Sequence, residues 1–230
     1  MTEHSLHETA HALKQHGFNP LIVTTREEAC ASILDYIPLN SLVGIGDSAT
    51  VRQIGVIEAL HARGTSIINP FCGKFRRETA VASLLADVFL TGINAITREG
   101  SLVDIDGAGN RIAGTIFGPP EVLVVAGQNK IVKNVDEAME RLKTIIAPRH
   151  AAGMGYSLPC TRTGTCQDCD SPQRICRIET VISRVPMYTR TTVFLIEEDL
   201  GLSWDPQWAP ERIGKIHTQY LSHVWNPKSL

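Results

Sequence analysis

Short apolar runs alternate along this chain with stretches in which apolar residues recur at helical spacing. Residues 20–24, 42–45, 66–68, 87–90, 121–126 and 191–196 read as strands, the last returning to the sheet of the others. Residues 1–17, 49–62 and 76–85 read as helices. Two more helices start at Thr25, where Glu28 completes a capping box, and at Asn134 with Glu137, this one ending near Ile146. Strands alternating with helices predict an α/β fold, a parallel sheet covered on both faces.

Three segments depart from the alternation. Residues 147–158, opened by Ala147-Pro148 and rich in Gly and Ala, read as a linker or exposed loop. A cysteine-rich segment follows. The end of the chain, with Trp204, Trp208 and Trp225, reads as irregular, and is apolar enough to pack on the domain or on a second subunit, so a homo-oligomer is one expectation.

Composition narrows the function classes. The chain has 230 residues, 43% of them hydrophobic and 20% charged, with a net charge of −2. No basic face is evident, so nucleic acid is not expected as a partner. The apolar runs are too short to span a bilayer and the N-terminus lacks a signal pattern, so no membrane association and a cytoplasmic location are expected. In a reducing compartment clustered cysteines bind metals or react rather than form disulfides. Cys30 falls on an apolar helix face and reads as a small buried hydrophobe. His4, His7 and His11 lie along the first helix, but nothing nearby completes a metal site, and a solvated amphipathic helix accounts for them.

Cys160, Cys166, Cys169 and Cys176 are spaced Cys-x5-Cys-x2-Cys-x6-Cys. Structural zinc generally uses two Cys-x2-Cys knuckles and only one is present; the ferredoxin run is tighter and ends in proline. The spacing alone leaves an iron–sulfur cluster, zinc and a metal-free thiol set open. Arg162, Arg174 and Arg177 can offset thiolate charge.

Two further motifs mark a candidate pocket. Gly44, Gly46, Asp47, Ser48, Ala49 and Thr50 join a strand to a helix, where glycines admit close approach and amides face an anion. The alternative is a plain turn capped by Ser and Thr, and Asp47 would repel a phosphate unless turned away. The run 91–111, after an apolar strand, holds Gly92, Asn94, Thr97, Asp106 and Asn110, placed where parallel sheets collect ligands. Asp106 and Asn94 are the catalytic candidates, Asp106 as an acid or base, or alternatively as a turn cap before Gly107. Asn69, Phe71 and Lys130 are further binding candidates, Lys130 as an anion partner unless it is merely solvated. Cys72 reads as a bystander rather than a nucleophile, and Arg77 and Glu78 as helix surface.

The turn at 44–51 resembles the phosphate loop of ribose-5-phosphate isomerases, with Asp47 and Ala49 at altered places. The run 91–111, with Ile116-Phe117-Gly118-Pro119, the stretch 124–132, Asn69-Pro70-Phe71 and the cysteine run, closely resembles the lactate-utilisation (LUD) domain family, in its short single-domain branch. The resemblance covers roughly residues 10–200. It implies a Rossmann-like, three-layer fold shared with phosphosugar isomerases, glucosamine-6-phosphate deaminases and coenzyme A transferases. A domain over residues 1–200, including the cysteine loop 159–177, would be followed by a docking tail at 201–230. Val185-Pro186-Met187-Tyr188 replaces a basic Pro-Lys step of many relatives, although Arg184 and Arg190 lie nearby.

The family setting favours an iron–sulfur cluster, of the 4Fe-4S kind, with zinc as the alternative. It implies a part in oxidation of a small anionic 2-hydroxy acid, L-lactate to pyruvate, with electron-transfer proteins as partners. The competing expectation is a phosphosugar- or acyl-binding module with a structural zinc.

Overall fold

The computed structural model describes residues 3–227, with side chains from Leu6 onward; Met1, Thr2, the His4 side chain and the last residues of the tail, 228–230, lie outside the described residues. The elements are α1 (Glu3–Gln15), β1 (Asn19–Val23), α2 (Arg26–Tyr36), β2 (Leu42–Ile45), α3 (Ala49–Gln53), α4 (Val56–Ala62), β3 (Ser66–Ile68) and α5 (Arg77–Ser83). Then come β4 (Val88–Gly92), β5 (Ala95–Thr97), β6 (Leu102–Asp106), α6 (Asn110–Ile116), β7 (Glu121–Gly127), β8 (Ile131–Val132) and α7 (Val135–Arg141). The chain closes with α8 (Ala147–Gly153), α9 (Pro159–Thr163), β9 (Ile178–Ile182), β10 (Arg190–Ile196) and α10 (Pro210–Leu221).

The six-stranded sheet runs β1-β10-β7-β4-β2-β3 and all its pairs are parallel, as the alternation predicts. Side-chain alternation sends its residues to two cores. Val122, Val124, Phe89, Val193 and Leu195 pack with Leu13 of α1 and with Ile96 and Leu102. Leu123, Val125, Leu90, Phe194 and Ile196 face Ile33 of α2, Val51 of α3 and Leu60 of α4. A strand buried on both faces reads as a near-continuous apolar run, as residues 122–126 of β7 do.

A second sheet, β8-β5-β6-β9, goes beyond the predicted strands. Its β5–β6 and β6–β9 pairs are antiparallel. Ala95 and Val103 pack against Leu142, Trp204, Ile216 and Tyr220. So the segment 201–227 rests on the domain, and its expected irregularity holds only in part, because residues 210–221 form α10.

Three other expectations are corrected. The helix foreseen over 49–62 is broken at Gly55, whose φ of 70° restarts the chain as α4. The helix foreseen to end near Ile146 passes through a π turn, Leu142–Ile146, into α8. Pro148 falls in the first turn of α8, where its missing N–H is tolerated, and Ala147, Pro148 and Ala151 are buried, so this is no exposed linker. After Asp106 the chain enters α6 at Asn110, with Gly109 at φ 84° as its cap. In α1, His7 and His11 are exposed, and His11 Nε2 lies 3.0 Å from Gln15 Nε2. No helix among the described residues is long and apolar enough to cross a membrane.

Candidate functional site

The carboxyl ends of four parallel strands open into one cavity of about 530 Å³. Residues 47–50 follow β2, Gly92–Asn94 close β4, Lys130 follows β7 and Gly201–Leu202 follow β10. Asp106, Asn110 and Arg111 form one wall, and His150 of α8 and Tyr220 of α10 another. Pro172–Ile175 of the cysteine loop and Phe71, Phe75 and Trp225 complete the lining.

The expected repulsion at Asp47 is relieved, because its carboxylate pairs with Arg52 at 2.6 Å. Arg52 also donates to the His223 carbonyl at 2.6 Å, fastening the tail across the cavity. Asp104 and Arg111 form a buried ion pair, and Arg111 also donates to the Ile105 carbonyl at 2.7 Å. Burial works to lower the Arg111 pKa, but Asp104 and Asp106 outweigh it and keep the guanidinium charged. Asn94 braces this pair: its N–H donates to Asp104 at 3.2 Å and its Oδ1 accepts from Ile105 at 2.9 Å. Asp106 accepts from the amides of Ala108 and Gly109 at 3.1 Å and of Ile112 at 3.2 Å. It is therefore the turn cap, although it still lines the cavity.

Lys130 is buried, 5% exposed, and not a solvated lysine. Its Nζ donates to the Ile93 carbonyl at 2.6 Å. Burial lowers its pKa to about 7, Asp104 opposing and Arg111 adding to the shift. Beside it stands Thr50, 1% exposed, whose hydroxyl has no hydrogen-bond partner among the described residues. Gly201, at φ 72°, makes room for both, since a Cβ there would strike Thr50 Oγ1 and lie 3.0 Å from Lys130 Nζ.

His150 Nδ1 and Tyr220 Oη lie 2.5 Å apart on the cavity wall. Burial lowers the His150 pKa and raises that of Tyr220, so the pair is neutral near pH 7. Neither residue stands out in the sequence: His150 lies in a segment that reads as a linker, and Tyr220 in a tail without a recognisable pattern.

Ser48 caps α3, accepting from the Val51 amide at 3.2 Å, and lines the cavity with Asp47, Ala49 and Thr50. Gly92, Asn94, Asn110, Lys130 and Phe71 line it as well. Four other candidates are not brought into it. Gly44 serves close packing, for a Cβ would strike the Ser83 carbonyl of α5, and at Gly46 it would come within 2.6 Å of Thr91 Oγ1. Asn69 accepts from the Phe71 amide at 2.9 Å, and Thr97 from the Ser101 amide at 3.0 Å, both turn-forming bonds. Cys72 is exposed and Cys30 half-buried against the core, where burial raises its pKa. Arg77 and Glu78 lie on exposed helix surface.

The cysteine loop is tied down at both ends. Cys166 N–H donates to the Lys143 carbonyl and Arg177 N–H to the Asp106 carbonyl, both at 2.9 Å. Gly107 lets the loop close on β6, since a Cβ there would lie 3.0 Å from the Ile175 carbonyl. All four thiols are free. Burial, and then the charges of Cys169, Cys176 and Cys166, raise the Cys160 pKa. The Asp168 amide donates to Cys166 Sγ at 3.4 Å, and Arg174 to the carbonyls of Cys169 and Cys176 at 3.0 Å. Four thiols on one loop fit a thiolate-bound metal in kind. Among the described residues no three His, Cys, Asp or Glu side chains stand at ligand spacing.

The family model of the LUD domain matches residues 6–196. A crystal structure of a DUF162 family protein from Deinococcus radiodurans is 18% identical, with a TM-score of 0.51 over 84% of this chain and 96% of that one. Ribose 5-phosphate isomerase A from Neisseria gonorrhoeae is 18% identical, with a TM-score of 0.34 over 53% of this chain and 58% of that one. No curated protein matches the chain.

Proposed function

The chain belongs to the LUD domain family, which is linked to lactate utilisation, and on that premise we propose that it is an iron–sulfur protein acting in oxidation of a small 2-hydroxy acid. The observation that carries this reading is contiguity: Pro172–Ile175, between the third and fourth cysteines, are also a wall of the polar cavity. Arg174 belongs to both, holding the carbonyls of Cys169 and Cys176 while facing the cavity.

Cys160, Cys166, Cys169 and Cys176 would hold the cluster. When bound, the cluster supplies one-electron redox chemistry and a route for electrons to a protein partner. The chain's residues supply the rest. Lys130 offers the cavity a cation to meet a carboxylate, while Arg111 and Arg174 are paired with Asp104 and Asp168, as Asp47 is with Arg52. His150, neutral and backed by Tyr220, is suited to take the hydroxyl proton. The Asp104–Arg111 pair keeps α6 and β6, and so the loop hung on Asp106, in place.

The test is electron paramagnetic resonance on anaerobically purified, chemically reduced protein, with and without a 2-hydroxy acid. A cluster signal that shifts when the acid is added supports the reading. Absence of any cluster signal, or a signal indifferent to saturating acid, contradicts it. The second reading, a phosphosugar- or acyl-binding module with a structural zinc, draws on the Cys166–Cys169 turn with its amide–sulfur bond, which suits zinc too. Zinc bound in place of iron would favour it.

A further inference from the structure

We propose that the cavity takes a 2-hydroxy acid bearing an aryl side chain, with its carboxylate between Thr50 and Lys130 and its ring against Phe71, Phe75 and Trp225. The inference rests on the reading of the site as a 2-hydroxy-acid site and specifies the side chain of that acid.

Size is the first argument. A cavity of about 530 Å³ suits a ligand well above lactate, whose six heavy atoms would leave most of the volume to water. The second is the unmet hydrogen-bonding capacity at the floor. Thr50 Oγ1 is buried with no partner among the described residues, an unfavourable arrangement for a hydroxyl, and it adjoins the Lys130 ammonium across the gap left by Gly201. A hydroxyl donor beside a cation matches a carboxylate. The third is the roof. Phe71 and Trp225 stand edge to face at 5.3 Å, and Phe75 lies 5.7 Å from Phe71 and 6.3 Å from Trp225. Three rings on one wall, tilted to one another, offer faces and edges against which another ring can pack. Among the described residues Trp225 Nε1 is likewise buried without a partner, so a ring carrying an acceptor, such as a phenol, is favoured over a bare one.

The placement of these parts in the chain bears on specificity. Thr50, Lys130 and Phe71 fall within the matched family region, residues 6–196. Gly201 and Trp225 lie beyond it. The floor therefore belongs mainly to the family region, and the roof is completed by this chain's tail, which Arg52 fastens over the cavity through the His223 carbonyl.

The experiment is calorimetric titration of the anaerobically purified full chain with lactate, 3-phenyllactate and 3-(4-hydroxyphenyl)lactate. The aryl acids should bind at least about tenfold more tightly than lactate. Thr50→Val should weaken all three about tenfold while leaving the melting temperature of the unliganded protein unchanged or raised, because it removes an unpaired buried hydroxyl. Trp225→Ala should abolish the preference for aryl acids. Lactate binding as tightly as the aryl acids would overturn this inference and leave the 2-hydroxy-acid reading standing. Binding of none of the three would overturn both. A Thr50→Val protein that melts lower yet binds unchanged would remove Thr50 from the seat and overturn the placement proposed here.

Discussion

Lys130 carries the sharpest prediction at the scale of one residue. Its neighbours are the Ile93 carbonyl, Asp104 and Arg111, and burial lowers its pKa from 10.5 to about 7. A lysine depressed in the folded state binds its proton more weakly there than in the unfolded chain. Stability therefore rises with pH between about 7 and 10.5, the window in which only the unfolded chain keeps that proton. Anion affinity should move the other way, falling up to about tenfold per pH unit above neutrality as the ammonium is lost. Chemical denaturation and ligand titration across pH check both slopes, and Lys130→Met should flatten both. At the next pair of residues, Asp104 and Arg111 are 2% and 11% exposed in their side chains. Asp104→Asn leaves a buried guanidinium without its counter-charge and should cost about 3–5 kcal/mol by denaturant titration. The pair lay in plain view within the motif 91–111, yet spacing alone marks Asp106 as readily as Asp104, and only the fold turns one inward and makes the other a cap.

Elements were legible where their periodicity was long or their burial complete. Strands β4, β7 and β10 each carry a continuous apolar stretch, 88–90, 122–126 and 193–196, because both their faces are covered, and such stretches stand out. The second sheet was not legible: β8 spans Ile131–Val132 and β5 Ala95–Thr97, too short to show a period, and β9 is half exposed. The helix through Pro148 was hidden by composition, since Pro, Gly and Ala read as a breaker unless a π turn has already reset the ladder. The break between α3 and α4 rests on one residue. Gly55 holds φ 70° with open space around its Cβ position, so Gly55→Ala should cost about 1–2 kcal/mol from backbone strain alone. A melting curve measures that loss, and an unchanged melting temperature would show that the two helices can join. His150 and Tyr220 escaped a reading of the sequence for the same reason as their elements, since residues 150 and 220 meet only after α8 and α10 pack.

At the scale of the molecule, the six-stranded sheet delivers its strand ends to one cavity, and the cysteine loop, anchored to β6 and to the π turn, is drawn against that cavity. The cysteine spacing marks a thiol-rich loop in the sequence, but its position beside the pocket depends on long-range pairing of β9 with β6, which no local pattern records. Removing residues 222–230 should leave the core intact, since α10 and its buried Ile216 and Tyr220 remain, while opening the aromatic wall. Circular dichroism should be unchanged and the affinity for an aryl acid lost; affinity preserved would mean the tail plays no part in the site. The central claim, a thiolate-bound cluster beside an anion-binding cavity, is tested most directly by iron, zinc and acid-labile sulfide analysis of the anaerobically purified protein, alongside a Cys160→Ser, Cys169→Ser double variant. The account predicts iron and sulfide in matching amounts in the native chain and their loss in the variant; zinc without sulfide, or no metal at all, would contradict it.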